Sequence, residues 1–203
     1  MRKPILSVLV LMMSSPVFAD ISPDLIPNFH KVSDGIYRGA NPIDKAGVAG
    51  IKALADLGVR TIIDLQGGDL DGSWFGAVAN WAMPEPGEQP DMIATEQKAA
   101  EAQGIKFVNL PLDSHAVIDQ KEAGYIQQAL AILSDSTQQP IFIHCEHGAD
   151  RTGLVIALYR VLHQGWLVKD AVTEWQNDGH TAVSALVTGD LDKYFYQSVE
   201  SQP

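Results

Sequence analysis

The passage from Pro140 to Leu162 constrains this chain more than any other. Residues 140–144 run Pro-Ile-Phe-Ile-His without polar alternation. A strand of that kind has no face to give to water, so it belongs inside a sheet covered on both sides. The loop Glu146 to Arg151 then leads into Leu154, Val155, Leu158, Val161 and Leu162, which recur at helical spacing.

Strands and helices alternate before it. Val32–Tyr37 reads as a first, edge strand. Asp44 is placed as the N-cap of a helix through Val48, Ile51, Leu54 and Leu57 that stops at Gly58, and Val59–Leu65 as a buried β-branched strand. A helix over Met92–Gln103 and a strand over Ile105–Leu110 follow. Asp119-Gln120-Lys121-Glu122 has the form of a capping box opening a helix that runs to Leu133. Helices near Val168–Asn177 and Gly189–Val199 close the chain. Residues 66–90, rich in Gly, Pro and Trp and without a period, read as a long surface excursion with a short helix around Trp74–Trp81. The predicted class is α/β, in three layers, with a central, mainly parallel sheet and helices on both faces. The loops after Leu65, Leu110 and His144 then share the carboxyl edge, where such sheets place their chemistry.

Composition narrows compartment and partners. Arg2 and Lys3, the apolar run Ile5–Met13 and the small-residue site Val17-Phe18-Ala19 form a secretory signal over 1–19, leaving one domain over 20–203. The apolar run is too short for a bilayer core of about 30 Å. The mature chain is expected to be periplasmic or secreted, monomeric and detached from the membrane. Cleavage removes two of the 14 basic residues and none of the 25 acidic ones, so a net charge of −11 becomes 12 against 25, or −13. That acidity argues against nucleic acid and anionic lipid as partners. Cys145 is the single cysteine, so an intrachain disulfide is excluded. It is either an inert packing residue or a reactive thiol.

Its neighbours favour reactivity. In His144-Cys145-Glu146-His147-Gly148-Ala149-Asp150-Arg151-Thr152-Gly153 a buried strand feeds a short loop and the loop feeds a helix. Amides of such a loop, Glu146 to Asp150, turn inward to hold an anion, helped by the positive end of the helix dipole. Gly148 admits a positive φ, and Arg151 returns to grip two phosphate oxygens. The same field stabilises a thiolate at Cys145, and Thr152 is placed to donate its hydroxyl to that sulfur. No metal or other cofactor is needed. A zinc reading of His144, Cys145 and His147 lacks a second ligand cluster. A rhodanese-like reading leaves the Arg-Thr-Gly ending without a purpose.

These residues resemble the signature of the protein tyrosine phosphatase superfamily, His-Cys-x5-Arg-Ser/Thr-Gly, at His144, Cys145, Arg151, Thr152 and Gly153. A looser likeness covers Val32 to Gly179, including Gly35-Ile36-Tyr37-Arg38, Ile63-Asp64-Leu65 and Phe107-Val108-Asn109-Leu110. The size is similar to the compact dual-specificity and phytase-like branches. The resemblance implies a cysteine phosphatase fold and a phosphocysteine intermediate. It also implies a general-acid aspartate on a separate loop about thirty residues before the cysteine. Asp113, in Pro111-Leu112-Asp113-Ser114-His115, takes that position, with Asp119 in reserve although its capping role already explains it.

Glu146, His147, Gly148, Ala149 and Asp150 are the expected substrate-binding residues, with Glu146 and His147 setting specificity. Asp150 either orients Arg151 or faces solvent as helix N-terminal charge. His144 reads as loop support, and Arg38 either lines the site or braces the fold. The expected partner is a phosphorylated small molecule or a phosphoprotein. His144-Cys145-Glu146 repeats a phytase-like beginning and points to inositol polyphosphate. Trp74, Phe75 and Trp81 offer an apolar wall for a phosphotyrosine ring instead. The acidic stretch between Arg60 and Lys98, which contains no Lys or Arg, weighs against a highly charged substrate. A non-catalytic phosphate-binding module is the remaining alternative.

Overall fold

The computed structural model describes residues 21–67, 90–113 and 117–200. The signal expected at 1–19, the short helix at Trp74–Trp81 with its aromatic wall, and His115 lie outside the described residues. Five strands are β1 (His30–Ser33), β2 (Ile36–Gly39), β3 (Thr61–Asp64), β4 (Lys106–Asn109) and β5 (Ile141–His144). The α-helices among the described residues are α1 (Val48–Asp56), α2 (Pro90–Ala102), α3 (Gln120–Ser134), α4 (Asp150–Gln164), α5 (Val168–Asn177) and α6 (Ala182–Glu200).

The strands form one sheet in the order β1-β2-β5-β3-β4. β2, β5, β3 and β4 are mutually parallel, and β1 joins β2 antiparallel at the edge. β5 sits in the middle, buried along its whole length, as its unbroken apolar run requires. Side chains alternate across the sheet. Ile63, Ile141 and Ile143 enter a core with α3, α4, α5 and α6. Ile62 and Phe142 enter a second core with Tyr37, Ile51, Leu54 and Ala100, beneath α1 and α2. The three-layer α/β expectation holds.

α4 is buried on every side from Arg151 to Tyr159, because α3, α5 and α6 surround it. A helix that must be apolar all round has no amphipathic period, which explains its dense hydrophobic sequence. Parallel pairing aligns the strand ends: Gly39 and Asp64 both lie opposite His144, and Asn109 lies opposite Asp64. The loops that follow therefore meet at one edge of the sheet.

Three expectations need correction. The edge strand placed at Val32–Tyr37 is a hairpin turning at Asp34-Gly35, where Gly35 has φ 75°. Asp-Gly between two extended runs is the turn chemistry that produces this. Asp44 does not cap α1; the helix starts at Val48 behind Gly47, which has φ 54° and makes no side-chain cap. α6 begins at Ala182 rather than Gly189, so tertiary packing carries the helix through that glycine. The capping box at Asp119 and Glu122 forms as read, with both reciprocal bonds present.

Gly153 lies where α4 meets α5. A Cβ built on it would stand 2.0 Å from Cδ1 and 2.2 Å from Nε1 of Trp175. Trp175 is buried and donates that Nε1–H to the carbonyl of Ala149 at 3.2 Å. Gly153→Ala should therefore lower the unfolding free energy by about 1–3 kcal/mol, overriding alanine's higher helix propensity. Urea denaturation followed by Trp fluorescence measures this, and an unchanged midpoint would contradict it.

Candidate active site

The loop after β5 is held from outside by its carbonyl groups. The carbonyl of Glu146 accepts from the Asn41 amide at 3.1 Å. That of His147 accepts from Asn28 Nδ2 at 3.3 Å, that of Gly148 from Arg38 Nη2 at 2.5 Å, and that of Ala149 from Trp175 Nε1. In a trans peptide the C=O of one residue points opposite to the N–H of the next. Four carbonyls pinned outward therefore turn the amides of His147, Gly148, Ala149 and Asp150 the other way, toward the inside of the loop. That is the arrangement that cradles an anion.

The clamps are themselves fixed. Arg38 is buried, and its Nη1 donates to Asp178 Oδ2 at 2.6 Å. Burial lowers its pKa and the Asp178 carboxylate opposes that. Arg38 thus braces the loop, deciding between its two readings. Gly148 has φ 70°, and a Cβ there would lie 2.4 Å from the backbone of Gly39. Only glycine lets the loop pack so closely on the end of β2.

Cys145 sits at the base of this loop, 2% exposed. Arg151, in the first turn of α4, returns to the same edge, and its Nη1 lies 3.4 Å from the Leu65 carbonyl and 3.3 Å from that of Leu112. The three edge loops are also stitched by backbone, Leu65 N to His144 O and Leu112 N to Leu65 O. Asp113 follows Leu112 directly, so the fold brings its loop against Arg151. Its amide donates to Glu122 Oε1 at 2.5 Å, and Glu122 also accepts from the Asp119 amide. The capping box of α3 thus doubles as the anchor of the Asp113 loop. Asp119 stays a cap.

Other site expectations fare differently. Glu146, expected to face substrate, is buried and accepts from Gln66 Nε2 at 2.6 Å, and Gln66 accepts from Asn41 Nδ2 at 2.8 Å. His147 is exposed. Ala149 is buried as the residue before α4. The Thr152 hydroxyl is fully buried and makes no hydrogen bond, so the expected donation to the Cys145 sulfur is not formed here. Asp150 neither orients Arg151 through a resolved bond nor faces open solvent: its Oδ1 meets His180 Nδ1 at 2.6 Å.

His180 was not anticipated. It stacks on Trp175 with ring centroids 4.2 Å apart, and its Nε2 meets Asp192 Oδ2 at 3.0 Å. Both ring nitrogens face carboxylates, so both carry protons. Burial lowers its pKa, the two carboxylates raise it, and the net shift is upward. The imidazolium links α6 to the start of α4. A His five residues after Trp175 and two after Asp178 carries no sequence signal for this, since both of its carboxylate partners lie 12 or more residues away along the chain.

On the α1/α2 face below the loop, Asp64, Glu96 and His144 bring three donor atoms within 4.8 Å of one another, all fully buried. This is the one such group of metal-ligating side chains among the described residues. Asp64 is already engaged, Oδ1 accepting from the Gln66 amide at 2.9 Å and Oδ2 from Asn109 Nδ2 at 3.2 Å. His144 Nε2 lies 2.9 Å from Glu96 Oε1. The set reads as a carboxylate–imidazolium group rather than a cation cage.

A central parallel sheet whose middle strand ends in such a loop, with the arginine returning from the following helix, is the dual-specificity kind of cysteine phosphatase fold. The family described as "DSP-PTPase phosphatase fused to NAD+ Kinase" matches residues 22–187, and the chain belongs to it. It is 26% identical over 166 residues to the dual specificity protein phosphatase TpbA of Pseudomonas aeruginosa, covering 81% of this chain and 60% of that protein. It is 28% identical over 163 residues to the inositol diphosphatase DSP2 of Oryza sativa subsp. japonica, covering 79% and 67%. Among solved structures, the core catalytic domain of the PP-IP phosphatase SIW14 from S. cerevisiae superposes with a TM-score of 0.59 at 23% identity, over 85% of this chain and 88% of that one. P. aeruginosa TpbA gives 0.57 at 22%, over 90% and 91%. The chain thus spans less than two thirds of the curated TpbA, and at these identities the structures speak to fold.

A histidine whose folded pKa exceeds its unfolded one stabilises fully below the unfolded value, about 6.5, and loses that contribution as pH rises through the folded value. His180 and His144 both shift upward, His144 to about 9. Stability should therefore fall from pH 6.5 toward pH 9, and His180→Gln should flatten part of that decline. Urea midpoints across this range test it; an equally steep decline in the variant would remove His180 from the account.

Proposed function

We propose that the chain is a cysteine-dependent phosphomonoesterase working through a phosphocysteine at Cys145. The observation that carries this reading is the set of outward carbonyls at Glu146–Ala149, which turn consecutive amides toward the inside of the loop that begins at Cys145. Cys145 attacks phosphorus while the inward amides and Arg151 take up charge on the phosphoryl oxygens. Asp113 protonates the leaving oxygen, then takes a proton from the water that hydrolyses the phosphocysteine. The Thr152 hydroxyl, buried and without another hydrogen-bond partner, rotates to the departing sulfur in that second step. The chain matures by loss of 1–19 and acts as a periplasmic or secreted monomer. No part of this scheme requires a metal.

For substrate, inositol polyphosphate is the first reading, supported by His144-Cys145-Glu146 and by the inositol diphosphatase relatives. One observation favours a protein or aryl phosphate instead. Arg38 is buried and committed to Asp178 and Gly148, so it is not free to take a second phosphate of a polyanion. Phosphate release measured side by side on phytate, lower inositol phosphates and phosphotyrosine peptides separates the two. Release from none of them, nor from nitrophenyl phosphate, would overturn the phosphatase reading.

Asp113→Asn should cut kcat on alkyl phosphates by about 10²-fold or more and act less on nitrophenyl phosphate, whose leaving group needs little protonation. Steady-state kinetics on both decide it, and equal losses would remove Asp113 from the acid role.

A further inference from the structure

We propose that Glu96 is a positioning residue for the nucleophile, holding His144 as an imidazolium against the first peptide of the phosphate loop. The inference rests on Cys145 being the reactive group and concerns what sets its surroundings.

Strand parity places the parts. Asp64 and His144 are register partners on β3 and β5, and their side chains share the face covered by α2. Glu96 comes down from α2 one turn before the buried Ala100. All three are fully buried. The His144 ring stacks on Phe142, centroids 5.4 Å apart, which fixes its plane. Its Nδ1 then lies 3.4 Å from the Cys145 carbonyl, and its Nε2 lies 2.9 Å from Glu96 Oε1 and 3.8 Å from Asp64 Oδ1.

Both ring nitrogens therefore face oxygen acceptors. A neutral imidazole would set a lone pair against one of them, so the ring carries two protons. Glu96 supplies the reason it stays charged. Asp64 has amide donors on each oxygen, whereas neither Glu96 oxygen makes a hydrogen bond. The imidazolium is the charge that compensates Glu96, through an ionic contact without hydrogen-bond alignment. A neutral His144 would strand that carboxylate in the core. Burial pushes His144 down, but Glu96 and Asp64 push it up to about 9, in agreement with the geometry. Among the described residues, Asp64 from β3 and Glu96 from α2 are the charged groups paired with this ring, and Cys145 is the titratable group on its other side.

The consequence falls on Cys145. An imidazolium on its carbonyl fixes the Cys145–Glu146 peptide in the same sense as the four peptides after it, carbonyl away and amide inward. It also places a positive charge behind the sulfur. Glu96 touches neither substrate nor sulfur; it acts through His144.

Two readouts test this without turnover. In histidine side-chain ¹⁵N spectra at pH 7.5, His144 of the wild-type chain should show both ring nitrogens protonated. Glu96→Gln should convert it to a neutral tautomer and Glu96→Asp should restore the charge. Cys145 is the only cysteine, so iodoacetamide alkylation reads it alone. In Glu96→Gln the pH midpoint of alkylation should rise by about one unit, with recovery in Glu96→Asp. A neutral His144 in the wild type overturns the proposal, and this measurement stands even where Glu96→Gln fails to fold. An unchanged or lowered alkylation midpoint in a folded Glu96→Gln overturns it as well. So does stoichiometric zinc in the purified wild type that Glu96→Gln loses, which would make the group a metal centre. Wild-type turnover of nitrophenyl phosphate reports separately on the phosphatase reading: its absence leaves both tests of Glu96 intact.

Discussion

Everything at this site depends on the orientation of a few peptide planes. Left to itself, a glycine-containing loop leaving a strand points its carbonyls and amides in both directions, and half of them would repel an anion. Here Asn28, Arg38 and Asn41 from the N-terminal hairpin region and Trp175 from α5 each take one carbonyl from Glu146 to Ala149 and turn it outward. The loop is thus organised in advance of any ligand, and on the proposed reading a phosphate would meet donors that need not reorient.

The clamps explain why the fold is built as it is. β2 lies beside β5 so that Arg38 and Asn41 can reach the loop, and Gly148 lets the loop settle on Gly39. α5 packs on α4 through Trp175 and Gly153, which places the indole N–H against Ala149. Asp178, just past α5, returns to hold Arg38, and His180, two residues on, ties Asp150 to α6. On the opposite face, α2 lowers Glu96 onto His144. The loop after Cys145 is therefore gripped from both layers of helices and from the neighbouring strand.

The central strand, loop and helix were legible in the sequence because each has a local signature: an unbroken apolar run, a glycine before an arginine, and dense apolar spacing. The capping box at Asp119 and Glu122 was legible for the same reason, although its second use, anchoring Asp113, was not. What sequence reading missed depends on partners distant along the chain. Glu96 looks like one more acid in an acidic stretch until α2 is seen to turn it inward onto a residue 48 positions later. His180 and Arg38 are likewise defined by what they meet rather than by their neighbours. The β1–β2 hairpin is a different failure, since Asp34-Gly35 is itself a turn signal that the apolar residues around it obscured.

The most direct test of the central claim is whether the sulfur of Cys145 carries phosphate during the reaction. The mature chain would be denatured rapidly during turnover of an isotopically labelled phosphomonoester, and the Cys145 peptide examined by mass spectrometry. A phosphoryl group on that peptide, absent without substrate and absent from Cys145→Ser, is the expected result. Sustained turnover with Cys145 unmodified, or undiminished turnover by Cys145→Ser, would contradict the account.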